Sequence, residues 1–148
     1  MANKNCFING ITELLILSLL SERDMYVYEM VKAVEKHSDR FLSISQNTLY
    51  TATYKLIGDG MLSEYTRLAG RRRTRVYYHI EPQGIAYLQQ LRENYRRNIT
   101  GVQRLMTAIE DGTVKAEAPA RAYIPDPDAS ETADSRTGIP VGMMPEPG

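Results

Sequence analysis

One cysteine, two histidines and no long apolar run set the first limits on this chain. Cys6 stands alone, so it can form no internal disulfide and offers at most one metal ligand, which points to a reducing compartment. His37 and His79 are far apart in sequence, and no cluster with the spacing of metal ligands accompanies either. There is no glycine-rich phosphate loop and no serine or cysteine nucleophile elbow. These absences argue against an enzyme, a metal centre or a bound cofactor. The greasiest segment, Ile11–Leu20, is half of the roughly 20 residues that cross a bilayer. The start, MANKNCFING, shows no basic region followed by an apolar stretch, so no secretory signal and no membrane association are expected. The expected location is the cytoplasm.

Net charge is also lacking, but the zero hides an asymmetry. Through Glu110 there are 15 Lys and Arg against 11 Asp and Glu, and from Asp111 onward 3 against 7. A basic region has been joined to an acidic one. Six of the seven prolines also fall after Asp111, in a stretch with neither a helical nor an alternating period. Such a segment buries too little surface to offset the entropy of ordering it, so residues 111–148 are expected to form a disordered acidic tail.

Before the tail, periodicity places four helices and a hairpin. Ile11, Leu14, Leu15 and Leu19 share one helical face, and Ile16, Leu17 and Leu20 widen it to a helix buried nearly all round. A second helix is expected after Asp24 as N-cap, with the stripe Val27, Met30, Val31, Val34, ending near His37. Phe41–Ile44 reads as a short strand. Ser45 then caps a third helix from Gln46 to about Gly58, with Leu49, Ala52, Thr53 and Leu56 inward. Two β-like runs, Met61–Leu68 and Thr74–Ile80, flank the loop AGRRR. Pro82 opens the last helix, whose seam Ile85, Leu88, Leu91, Tyr95, Ile99, Val102, Met106 and Ile109 advances by threes and fours. Gly101 inside it marks a kink or an early end. The order describes a mainly α, α+β fold: a winged helix-turn-helix over residues 1–81, then a long helix over 82–110 with a seam too long for one small domain to cover.

Tyr28-Glu29-Met30, Asn47-Thr48-Leu49-Tyr50, Gly60-Met61-Leu62, Gly70-Arg71-Arg72-Arg73 with Tyr77-Tyr78, and Pro82-Gln83-Gly84 occur in that order. With these motifs the chain resembles the PadR family of bacterial transcriptional regulators, in its short form with a single C-terminal helix. The resemblance covers about Ile11–Ile109. It implies a homodimer joined through the last helix, a pseudo-palindromic operator in double-stranded DNA, repression, and release by a small hydrophobic or aromatic effector sensed near the dimer interface. Tyr95, Ile99, Met106 and the first helix would line such an effector pocket. The chain departs from the family pattern at Val27 and Asn47, where glycine is usual, and at Thr51, where proline is usual. Base preference therefore does not transfer. Glu81 also replaces the usual hydroxyl cap.

Major-groove readout needs short polar side chains at the exposed N-terminal end of a helix. With Leu49, Ala52 and Leu56 inward, the outward set is Gln46, Asn47, Thr48, Thr51 and Lys55, the last placed for a phosphate. Tyr50 either packs inward or points its hydroxyl at a phosphate. Arg71, Arg72, Arg73 and Arg75 crowd one hairpin tip, where like charges repel unless an anion is present. The expected dimer seam is Leu88, Leu91, Tyr95, Ile99, Val102, Met106 and Ile109. A competing reading keeps the fold but not the operator: a dimeric protein-interaction adaptor acting through its acidic tail.

Overall fold

Helix α1 (Cys6–Leu20) carries apolar residues around most of its circumference, and Ile16, Leu17 and Leu20 are fully buried. In the computed structural model, which describes residues 6–119, α1 is in contact with α2, α3 and β2. Helices α2 (Val27–His37) and α3 (Gln46–Gly58) pack on it and bury Met30 and Val34, and Leu49, Thr53 and Leu56, respectively. Strands β1 (Leu62–Leu68) and β2 (Thr74–Ile80) add Leu62, Tyr78 and Ile80, and helix α4 (Pro82–Glu110) adds Leu88. Each such aliphatic side chain contributes about 1.5–3 kcal/mol by leaving water.

Local chemistry explains the boundaries, and at three places it differs from the sequence expectation. Helix α1 begins at Cys6, ahead of Ile11, and Ile8 is already part of the core. Asp24 does not cap α2. The cap residue is Tyr26, whose backbone N–H donates to Glu29 Oε1 at 3.2 Å, while the Asp24 carboxylate is engaged by the hairpin. Phe41–Ile44 is not a strand. After α2 the chain turns through Asp39 and Arg40 in the left-handed region, and Arg40 N–H closes the helix end on Glu35 O at 2.8 Å. The Ser38 hydroxyl then accepts from Leu42 N–H at 3.0 Å, which holds the segment as a turn and leaves Phe41 89% exposed. The third strand-like pairing comes instead from Met25, whose carbonyl accepts from Tyr78 N–H at 3.0 Å.

The hairpin is antiparallel, in register from Leu62 opposite Ile80 to Leu68 opposite Thr74. Its loop is closed by Ala69 N–H on Arg73 O at 2.8 Å, with Gly70 at a φ of 87°. Helix α4 starts against the hairpin base, and Gly84 is the point of closest approach. A Cβ there would overlap the Met61 carbonyl oxygen and lie 2.9 Å from Ile80 Cγ1. Glu81 accepts from Ser63 Oγ at 2.5 Å, so its carboxylate ties β1 to the start of α4 where a hydroxyl cap is usual.

Helix α4 runs through Gly101 without ending. The chain divides into two compact units within it, after Gln103. In the second unit, Asp111 accepts from both the N–H and the hydroxyl of Thr113, starting a one-turn helix α5 (Thr113–Ala116) where no helical period was expected. The rest of the expected tail, residues 120–148, lies outside the described residues. Among the described residues no helix is long and apolar enough to cross a membrane.

Replacing Gly84 by alanine forces α4 off the hairpin base. Urea denaturation of that variant is expected to show a loss of about 1–3 kcal/mol, and an unchanged midpoint would mean that α4 yields without strain.

Candidate nucleic-acid interface

Two exposed features, the N-terminal end of α3 and the hairpin tip, carry the chemistry of a polyanion surface. The first turn of α3 is built by Ser45, whose Oγ accepts from Thr48 N–H at 3.1 Å and donates to Thr48 Oγ1 at 2.9 Å. This satisfies one of the free N–H groups at the helix start. It also uses one acceptor position of the Thr48 hydroxyl, whose O–H remains a donor and whose methyl group is free for apolar contact.

The outward set on α3 is split by the structure. Gln46, Asn47, Tyr50 and Thr51 are exposed. Asn47, Thr48, Thr51 and Lys55, however, form one wall of a groove of about 730 Å³, with α1 and α4 as the others. Lys55 is not a free cation. Its Nζ lies 3.2 Å from Glu13 Oε2 and 3.4 Å from Asp59 Oδ2, and the Glu13 hydrogen bond raises its pKa. Glu13 also accepts from Tyr87 at 2.6 Å, so α1, α3 and α4 meet in one polar network. The tyrosine hydroxyl is held protonated by that hydrogen bond and by burial, both of which raise its pKa.

Tyr50 stands half-exposed on the other flank of α3. Beside it is Tyr54, one turn on and 83% exposed, which the sequence reading did not single out. Its signal was present in the i, i+4 spacing from Tyr50, on the strip that Leu49, Thr53 and Leu56 leave outward. Tyr50 and Tyr54 share a second groove with Glu64 and Tyr78 at the root of the hairpin.

At the tip, Arg71, Arg72 and Arg73 are exposed. Arg75 is not equivalent to them, because its guanidinium lies 4.4 Å from the centroid of the Tyr26 ring. Arg67 is placed in the same way, 4.9 Å from the Tyr77 ring. Both cations keep their charge but are held against aromatic faces along the stem, while Arg71, Arg72 and Arg73 extend from the loop.

The seam of α4 divides too. Leu88 is 2% exposed within the chain's own core and has no surface left for a partner, which corrects its assignment to a dimer seam. Leu91 and Tyr95 are intermediate, as is Ile99. Val102, Met106 and Ile109 are about half exposed. Tyr95 and Ile99 line the groove between α1, α3 and α4 together with Phe7, Ile11 and Leu14 of α1.

The sequence matches the transcriptional regulator PadR-like family over residues 16–90, about half of the chain. A curated relative, Uncharacterized protein X of Lysinibacillus sphaericus, is 30% identical over 84 residues, covering 57% of this chain and 77% of its own length. The fold is similar to that of a transcriptional regulator from Clostridium thermocellum, at 32% identity and a TM-score of 0.62 over 70% of this chain and 97% of that one. It is also similar to Bacillus subtilis PadR in complex with operator DNA, at 20% identity and a TM-score of 0.51 over 54% of this chain and 45% of that one, a likeness of fold alone.

The cap that shapes the first turn of α3 is testable. Ser45→Ala is expected to lower stability by about 1 kcal/mol in urea denaturation while Ser45→Asp retains it; equal losses in both would remove the cap from this account. The match across the helix-turn-helix, the hairpin and the start of α4 identifies the chain as a member of the PadR-like family of transcriptional regulators.

Proposed function

We propose that two copies of this chain bind duplex DNA and repress transcription at a pseudo-palindromic operator. The observation that carries the reading is the concentration of three uncompensated guanidinium groups, Arg71–Arg73, at the tip of a hairpin beside a capped helix with a polar exposed start. Packed cations of one sign gain stability only against an anion, and a duplex supplies closely spaced phosphates. Gln46, Asn47 and Thr51 are the residues for base edges, the Thr48 methyl adds an apolar contact, and Tyr50, with Tyr54 one turn on, offers a hydroxyl to a phosphate. Lys55 is shared with Glu13 and Asp59, whereas Arg75, stacked on Tyr26, keeps its in-plane N–H groups free for a phosphate.

Pairing of the chains is supported by the half-exposed Val102, Met106 and Ile109, which follow Leu91, Tyr95 and Ile99 at helical spacing. A two-fold dimer sets two recognition helices about one DNA turn apart. The groove between α1, α3 and α4 has room for a small hydrophobic or aromatic effector, and its α3 wall includes Asn47 and Thr51. A ligand there would act on the base-reading helix directly and release the operator. Residues 1–81 then form the DNA-binding part and 82–110 the pairing helix.

The test is selection of bound duplexes from a random pool, followed by affinity measurements over a salt series with an Arg71, Arg72, Arg73→Ala variant. The expected result is an enriched inverted repeat, a large loss of affinity in the variant, and a salt slope flatter by about 2–3 per wing. Unchanged affinity in the variant would favour the adaptor reading over operator binding. Val102→Glu is expected to yield monomers in sedimentation at micromolar concentration, and a persisting dimer would move the interface elsewhere.

A further inference from the structure

The hairpin stem is thinly supported. Leu62, Tyr78 and Ile80 are buried at its base, but Leu68 and Val76 farther out are exposed, and a two-stranded ribbon is marginal in water without packing. Nothing in the core aims the loop that holds Arg71–Arg73. The contacts that can do so converge on three consecutive residues, Asp24, Met25 and Tyr26, immediately before α2.

Asp24 Oδ2 accepts from the Tyr65 hydroxyl of β1 at 2.6 Å, and its Oδ1 lies 2.9 Å from His79 Nδ1 of β2. Met25 pairs with Tyr78 through the backbone. The Tyr26 ring meets Tyr77 edge to face, with centroids 5.4 Å apart, and carries the Arg75 guanidinium. Tyr77 in turn stacks on Tyr65 at 5.7 Å and carries Arg67. One short segment at the entry to the helix-turn-helix therefore grips both strands by a charged hydrogen-bond pair, a backbone bond and an aromatic–guanidinium ladder.

We propose that Asp24–Tyr26 is a clamp that aims the wing, with Asp24, Tyr65 and His79 as positioning residues that hold Arg71–Arg73 and α3 against the same duplex. This rests on the reading of the chain as a DNA-binding protein. The clamp touches no DNA itself. It removes orientational freedom from the wing before binding, so that less ordering is left to the complex.

The charges predict a pH dependence with a definite sign. The hydrogen bond that the imidazole donates to Asp24 raises the His79 pKa above its ordinary value of 6.5, against a smaller effect of burial, and the charges of Asp24 and Glu81 add to the rise. Partial burial works to raise the Asp24 pKa, but hydrogen bonds from Tyr65 and His79 and the positive charges of His79 and Arg67 outweigh it, so the net shift is downward. Asp24 is thus ionised throughout the neutral range. The His79 contribution is complete below pH 6.5 and is lost as pH rises through the raised value. The groups facing the imidazole are Asp24 and Glu81 as acids and the neutral Tyr65 hydroxyl bound to the same carboxylate, with Ser63 opposite on β1.

The experiment is a double-mutant cycle read by duplex binding at fixed salt: wild type, Asp24→Asn, the triple Arg71, Arg72, Arg73→Ala variant, and the combination. Asp24→Asn is expected to weaken binding about five- to tenfold in the wild-type background and to have little effect once the arginines are gone, because an idle wing has nothing left to aim. Equal weakening in both backgrounds, as general unfolding would give, overturns the clamp. Wild-type affinity is expected to fall as pH rises from 6 toward 8, and this slope should vanish in His79→Gln; a slope that survives in His79→Gln also overturns it. Amide exchange without DNA separates the two readings. The Tyr78 amide is expected to exchange faster in Asp24→Asn even if no duplex is ever bound, and unchanged exchange refutes the clamp while leaving DNA binding standing.

Discussion

Leu49, Thr53 and Leu56 are the buried residues of α3, and that burial fixes the rotation of the helix about its own axis. Once the rotation is fixed, every outward residue has its direction assigned. Gln46, Tyr50 and Tyr54 line one flank, and Asn47, Thr51 and Lys55 turn toward the groove with α1 and α4. The hydrogen bonds of Tyr87 and Lys55 to Glu13 tie the same helix to α1 and α4 as well. A recognition surface in this fold is the remainder left by core packing, so the core residues of α3 specify the interface without belonging to it.

The wing obeys a different constraint. Its base is held by apolar burial and by the close approach of α4 at Gly84, which only a residue without a side chain permits. Its stem lies beyond the reach of the core and is held by polar and aromatic contacts instead. Exposed interactions of this kind contribute little each, and their value lies in orientation more than in global stability. The division also separates the cations held against aromatic faces, Arg67 and Arg75, from the three at the tip that face solvent.

Helix α4 joins these two problems. Its first turns complete the domain core through Leu88, and its later turns present Val102, Met106 and Ile109 half exposed. In the proposed dimer the exposed part of the seam is closed by a second copy, and the groove flanked by α1, α3 and α4 is the proposed place for an effector to act on α3.

Sequence alone determined the element types and most boundaries, because they follow from local rules: helical spacing of Val27, Met30 and Val34, the hydroxyl of Ser45, the β-branched and aromatic run of β2, and Pro82 at a helix start. Local rules also located the arginine cluster. Only the tertiary structure decided the partners. Asp24 looked like a helix cap and is held by two strands, because a carboxylate takes the best donors within reach, and Tyr65 and His79 are brought there by the hairpin. Phe41–Ile44 looked like a strand, but no edge was offered to it, while Met25 lay beside Tyr78. Leu88 continued the seam in sequence and fell inside the core, and Lys55 and Arg75 found an acid and a ring. Spacing along the chain fixes which face a residue shares, but what that face meets depends on elements many residues away.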